Sequence, residues 1–350
     1  MDAYFFLRHV LFAIAIISIS AFATRLLIRK LRIFDVPNER SSHTRITPRG
    51  GGIAIVVAFL VGISLIHLIG DKSPIYTPYF VGFLLASFAI AALSLYDDFR
   101  HVSFKIKFAG HILAVVVAMI SGVVIDVTHL PLFGEVRWGW GAYPLTLLWT
   151  FGLTNACNFI DGLDGLATST AVIAAAFLSF ISFQQGSFFI YLASLTLSAA
   201  SLGFLIFNWS PARIFMGDVG STFLGFTFAV MAVIAARYDH SHTSLFVVPL
   251  LLFHFIFDAL FTFVRRFQAG ENVFEAHNTH LYQLLNRMRY SHKQVALIYS
   301  SLAVCQGGAA IWMVSIPGGE RLYVFLPFLF AYWICAKAVI VKARREGIRV

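Results

Sequence analysis

Long apolar runs separated by short polar stretches repeat along the whole chain. A helical run of about 20 apolar residues is enough to cross the hydrocarbon core of a bilayer. Eleven such runs are predicted, near 4–24, 51–69, 78–95, 106–125, 142–157, 168–184, 187–207, 219–236, 244–264, 295–315 and 321–340. The fifth is short and the sixth and seventh nearly abut, so ten and twelve remain open as counts. The first run is too long for a signal-peptide core and lacks a convincing small-residue cleavage site, so it reads as a retained helix. No internal repeat, linker or low-complexity tract interrupts the pattern. The expected architecture is all-α, a single polytopic membrane domain over residues 1–350.

Composition agrees: 59% of residues are hydrophobic and only 12% are charged. A soluble chain carries about twice that charged fraction, so a soluble enzyme is excluded. Cys157, Cys305 and Cys335 lie in or beside apolar segments without paired spacing, which argues against disulfides and zinc. The net charge of +9 is unevenly placed. Of 26 Lys and Arg, 21 fall in the loops near 25–50, 96–107, 158–167, 208–218 and 265–294 and in the tail from Lys337. The other side keeps Arg8, Lys72, Arg137, Arg237 and Arg321. This asymmetry predicts an outside N-terminus and a cytoplasmic C-terminus, and accounts for the basic excess without nucleic acid.

With that topology, five carboxylates fall on the cytoplasmic side. Asp97 and Asp98 end the third run, Asp161 and Asp164 follow the fifth in Asn155-Ala-Cys-Asn158-Phe-Ile-Asp-Gly-Leu-Asp-Gly-Leu166, and Asp218 opens the eighth. Each alone could be a solvated loop charge, or a helix cap in the case of Asp218. Together they would repel one another unless a cation were present. Oxygen-only ligands point to a hard divalent ion, most simply Mg²⁺, which takes one or two carboxylates and leaves positions for water and phosphate. Arg49, followed by Gly50, Gly51 and Gly52 at the start of the second run, reads either as a phosphate cradle or as a tight entry turn. Lys105, Lys107 and Arg265-Arg266 read either as interfacial anchors or as anion contacts. His277 and His280, at i and i+3 in the last cytoplasmic loop, suggest hydrogen bonding to substrate rather than metal ligation.

These motifs, in this order, resemble the polyprenyl-phosphate N-acetylhexosamine-1-phosphate transferase family. The segments 35–43 and 47–52 fit its first cytoplasmic loop, and the likeness spans about residues 35–290. The resemblance implies a Mg²⁺-dependent enzyme, with Mn²⁺ a candidate substitute. It would transfer a sugar-1-phosphate from a UDP-HexNAc donor to undecaprenyl phosphate and release UMP. It implies Asp218 as principal metal ligand, with Asp161 and Asn155 near the nucleotide or its metal and Asp164 supporting them. Asp97 and Asp98 would lie at the reaction centre, one of them as a proposed base. Lys107 matches a family lysine, and His277 and His280 its histidine motif. Asn158, Arg49, Gly50 and Arg265 complete the expected substrate contacts. The histidine loop departs from the consecutive histidines of the peptidoglycan enzyme. It is more similar to the branch that initiates O-antigen and related glycans, with UDP-FucNAc, UDP-QuiNAc or UDP-GlcNAc as donors. Phospho-N-acetylmuramoyl-pentapeptide transferase is the alternative within the family. A cation-coupled transporter is the alternative outside it, and would need carboxylates near the midplane. The expected location is a bacterial inner membrane with the site facing the cytoplasm, the bilayer as a partner, no nucleic acid, and a homodimer as the candidate assembly.

Overall fold

The computed structural model describes residues 3–37, 42–43, 45–69, 77–100, 102–237, 243–273, 275 and 277–350. It is a helical bundle. The helices are α1 (Ala3–Lys30), α2 (Ile53–Ile69), α3 (Thr77–Arg100), α4 (Phe104–Ile120), α5 (Ala142–Ile160), α6 (Leu166–Gln184), α7 (Phe188–Asn208), α8 (Asp218–Arg237), α9 (Val247–Leu251), α10 (Phe253–Gln268), α11 (Leu281–Arg287), α12 (His292–Met313) and α13 (Phe325–Arg345). Among the described residues, two short antiparallel pairs are the only strands: β1 (Phe34–Asp35) with β2 (Thr47–Pro48), and β3 (Val127–Leu130) with β4 (Gly134–Arg137).

Each predicted apolar run overlaps a helix, although the fourth, expected to reach 125, ends with α4 at Ile120. Seven helices among the described residues are both long and apolar enough to cross a membrane, which establishes a polytopic all-α membrane protein. The ninth run differs from its prediction as one span, because it breaks at Leu252 into α9 and α10. Pro249 lies in the first piece and has no N–H for the helical ladder.

Burial orders the bundle. In α8 every residue from Val219 to Ala235 is buried, so this helix is the axis. The side chains of α1 and α13 are mostly outward-facing and apolar, as lipid contact requires. Small residues let backbones close in where α8 starts. A Cβ on Gly52 would overlap the Gly220 backbone, so only glycine permits this approach of the α2 and α8 N-termini.

The two ends of the bundle are chemically distinct. One gathers the start of α2, the end of α3, the α5–α6 turn, the start of α8, and the start of α12. The other carries the β3–β4 hairpin and the Asp126–Arg237 ion pair at 2.9 Å. Phe5 near the start of α1 meets Phe183 at the end of α6, whereas Arg287 at the other end donates to the Arg349 carbonyl. Phe5 and Arg349 therefore lie at opposite ends of the bundle.

Candidate active site

The segment 48–52 is hydrogen-bonded to the run before α8: Phe215 N–H donates to the Pro48 carbonyl at 2.8 Å, and Gly51 and Gly52 N–H donate to Phe215 and Met216 at 2.9 and 2.8 Å. This pairing sets Arg49 over the start of α8. Its Nη2 donates to Asp218 Oδ1 at 2.8 Å and its Nε lies 3.0 Å from Asp98 Oδ1. Lys107 on α4 binds Asp218 Oδ2 and lies 3.2 Å from Asp97. Asn158 Nδ2 approaches Asp218 Oδ1 at 3.2 Å and Ser221 Oγ at 2.9 Å.

Asp98 has a particular position. Its side chain is fully buried in the last turn of α3. Oδ1 accepts the Asp218 N–H at 3.1 Å and Oδ2 the Val219 N–H at 3.0 Å. A carboxylate from another helix thus caps the positive end of α8 and satisfies donors that a helix start leaves open. Gly217, at φ +74°, makes room for it, since a Cβ there would sit 2.7 Å from Asp98 Oδ2. Asp97 accepts the Val102 N–H at 2.9 Å.

The motif turn 161–165 forms the facing wall. Among the described residues no hydrogen bond reaches the Asp161 carboxylate. Burial first, and then the Asp218 charge, push its pKa up to about 7, and Arg49 only partly offsets them. Asp164 differs. Burial opposes its charge, but hydrogen bonds from His292 and the Ala212 N–H hold its pKa below the usual carboxylate value. The turn is anchored by Asn208, whose Oδ1 accepts from Gly165 N–H at 3.2 Å and Thr168 Oγ1 at 2.7 Å.

Between these walls lies a cleft of about 210 Å³, lined by Arg49, Asn158, Asp161, Asp164, Asp218 and Ser221, and by Asp35, His43, Phe215 and His292. A larger cavity, about 580 Å³, opens at the other end beside Asp126 and Arg237. It holds none of the sequence motifs and its acids are closed into ion pairs. The smaller cleft is where chemistry-bearing groups converge.

The structure thus brings Asp98, Asp161, Asp218, Arg49, Lys107 and Asn158 together, with Asp97 joined through Lys107. Gly50 lies in the adjoining turn at φ +94°. Four expected contributors lie elsewhere. Asn155 donates to the Phe151 carbonyl on its own helix. Arg265 donates to the Thr279 carbonyl and so braces the histidine loop. His277 and His280 stand against one another, ring centres 4.8 Å apart, and neither lines the cleft. Burial, then His280, Arg266 and Arg265, lower the His277 pKa to about 4. His280 faces Asp258, a buried carboxylate that also accepts Leu281 N–H at 2.9 Å, Tyr282 N–H at 3.2 Å and Tyr299 OH at 2.7 Å. Tyr282 OH in turn donates to the Phe159 carbonyl at 3.0 Å, linking this loop to the end of α5.

Among the described residues no three His, Cys, Asp or Glu side chains converge at metal-coordination distance. A Mg²⁺ ion needs only one or two carboxylates. Among the described residues the Asp161 carboxylate receives no hydrogen bond, and Asp218 Oδ2 has a lone pair left beside Lys107. These two residues fit such an ion.

Comparison with known proteins adds an independent line. The family model for glycosyl transferase family 4 matches residues 80–236. A Bacillus subtilis protein described as a probable undecaprenyl-phosphate N-acetylglucosaminyl 1-phosphate transferase is 32% identical over 293 residues, 81% of this chain and 80% of its own. A Mycobacterium leprae decaprenyl-phosphate N-acetylglucosaminephosphotransferase is 32% identical over 320 residues, 83% of this chain and 80% of its own. A phospho-N-acetylmuramoyl-pentapeptide-transferase of Latilactobacillus sakei matches over 202 residues at 32%, covering 55% of this chain and 62% of its own.

Proposed function

The chain belongs to glycosyl transferase family 4, among its polyprenyl-phosphate N-acetylhexosamine-1-phosphate transferases, and on that premise we propose that it transfers a HexNAc-1-phosphate from a UDP-sugar to undecaprenyl phosphate with release of UMP. The observation that carries this reading is the cleft at one end of the bundle. There Arg49, Lys107 and the N-termini of α2 and α8 surround carboxylates.

An oxygen of the acceptor phosphate attacks the β-phosphorus of the donor. The bond from that phosphorus to the oxygen bridging the α-phosphate breaks, and its electron pair leaves with UMP. Such a reaction brings anions together, and positioning and charge neutralisation lower its barrier. Arg49 and Lys107 exchange Asp218 for donor oxygens, while the first N–H groups of α2 and α8 stay bonded to Phe215, Met216 and Asp98, so these helix ends contribute their positive dipoles alone. Asp161 and Asp218 would hold Mg²⁺, with Mn²⁺ as a substitute; when bound it neutralises diphosphate charge. A phosphate monoester with a second pKa of about 6 is already largely ionised, so no base is needed. Asp98, with both oxygens engaged, orients Arg49 and α8 instead.

The proposed donor is UDP-GlcNAc, after the relatives' sugar, with UDP-FucNAc and UDP-QuiNAc as the other candidates from the histidine loop. The proposed setting is the bacterial inner membrane with the cleft facing the cytoplasm, at the first membrane step of O-antigen or another surface glycan. The test is UMP release by purified protein given undecaprenyl phosphate, Mg²⁺ and each UDP-HexNAc in turn, UDP-MurNAc-pentapeptide included, with mass spectrometry of the lipid product. Release with none of them would refute the proposal, and release with the pentapeptide donor alone would reassign it.

A further inference from the structure

His292, the first residue of α12, lies 128 residues from Asp164 in sequence and meets it across the cleft. Its Nδ1 is 3.1 Å from Asp164 Oδ1, and its Nε2 is 2.9 Å from the Ser42 carbonyl. The side chains of His292 and Asp164 are 15% and 12% exposed, so the contact is mostly shielded from water. A carbonyl only accepts, so Nε2 carries a proton. A carboxylate in its usual state only accepts, so Nδ1 carries one as well. The Asp164 N–H lies 3.4 Å from the same Nδ1 and does not compete with the shorter contact. The ring is therefore a doubly donating cation, fixed at one edge by the first cytoplasmic loop and aimed at Asp164 by the other.

Asp164 has two further partners, the Ala212 N–H at 3.1 Å on Oδ2 and the Ser210 hydroxyl. Without His292 the carboxylate would keep only its two neutral donors on the 210–212 segment and lose the charged donor that turns it from the α12 side. We propose that His292 is a positioning residue for the donor site, acting through Asp164: it fixes the carboxylate orientation that the UDP-sugar meets. This rests on the transferase reading above. It assigns His292 no contact with the reacting phosphates, because Arg49, Lys107 and Asp218 are the charged groups at the metal side of the cleft. The expected signature is weaker donor binding with the chemical step preserved, since uniform binding changes KM while kcat is kept.

The test compares His292→Ala, His292→Asn and His292→Gln. An Asn amide nitrogen stands near the place of Nδ1 and restores the Asp164 contact, whereas a Gln amide nitrogen stands near Nε2 and restores only the Ser42 contact. His292→Ala should raise the donor KM roughly tenfold, the loss of one charge-assisted hydrogen bond, with kcat and the acceptor KM within about threefold. Asn should recover most of the donor KM and Gln should not. Asp164→Ala should reproduce the defect, and the double variant should add nothing to it. Direct calorimetric binding of UDP-GlcNAc gives the same comparison without turnover. If wild-type protein releases no UMP with any donor, the transferase reading fails. If it does release UMP while Asn is no better than Ala, or kcat alone falls, or the two single variants add, the role of His292 is overturned.

Discussion

Replacing Asp98 by Asn keeps the shape of the side chain and removes its charge, which separates an orienting role from a catalytic one. In the native arrangement one oxygen receives Asp218 N–H and Arg49 Nε, and the other receives Val219 N–H. An amide can satisfy the first pair only by turning its NH₂ group toward the Val219 N–H, donor against donor. One buried unsatisfied donor costs about 1–3 kcal/mol. Weakening the charge-assisted bond from Arg49 costs about 1 kcal/mol more. A local loss of about 2–4 kcal/mol makes opening of the first turn of α8 roughly 30- to 700-fold more frequent. Hydrogen exchange on the ligand-free protein reads this at the peptide covering Asp218 and Val219. UMP release should fall with it, because Arg49 is held more weakly at its second anchor. If Asp98→Asn abolishes turnover while exchange at that peptide stays at the wild-type rate, Asp98 acts in the chemistry and the orienting argument is wrong.

Other outcomes follow from neighbouring contacts. Arg49→Lys retains charge but cannot span Asp98 and Asp218 together; kcat should drop by about 10- to 100-fold, and a wild-type kcat would remove the bridging role. Tyr282→Phe deletes the bond to the Phe159 carbonyl and should lower the thermal stability of the detergent-solubilised protein by about 1 kcal/mol, whereas Asp258→Ala strips a buried carboxylate from several donors and should cost about 3–5 kcal/mol; equal melting temperatures would contradict the difference. The raised Asp161 pKa, about 7, gives a pH test. Its folded value lies above the unfolded one, so its contribution to metal-free stability is present in acid and is lost as pH rises from about 4 to about 7. A cation must displace that proton, so the Mg²⁺ concentration for half-maximal UMP release should rise about fivefold from pH 7 to pH 6, and a flat dependence would remove Asp161 from the ion. EDTA should abolish release, and added Mg²⁺ or Mn²⁺ should restore it.

Much of this site was legible in the chain because charge at a membrane edge is costly, so Asp97-Asp98, Asp161 and Asp218 stand out against apolar neighbours. The runs between them define the helices for the same reason. Asp258 carried a comparable signal, a lone acid inside the ninth run, and it passed unnoticed because no second motif residue lies beside it. Its partners, Leu281, Tyr282 and Tyr299, become neighbours only when α10, α11 and α12 pack. His292 gave no local sign beyond the Ser291–Gln294 capping box that starts α12. The placement of His277 and His280 also could not be read, because helical spacing tells which residues share a face and not what the face meets.

The pairing of Arg49 and Lys107 with Asp97, Asp98 and Asp218 bears on order of addition. Two cationic side chains stand beside Asp97, Asp98 and Asp218, and Asp161 adds its charge as pH rises through about 7, so the cleft presents a surplus of negative charge to an anionic nucleotide. Free UDP-sugar would meet repulsion at the entrance, whereas a nucleotide already carrying its divalent ion would not. Scarcity of metal would then act first on encounter, leaving the cleft vacant rather than filled and slow, and association rates would depend on the concentration of the ion–nucleotide pair more than on either component alone.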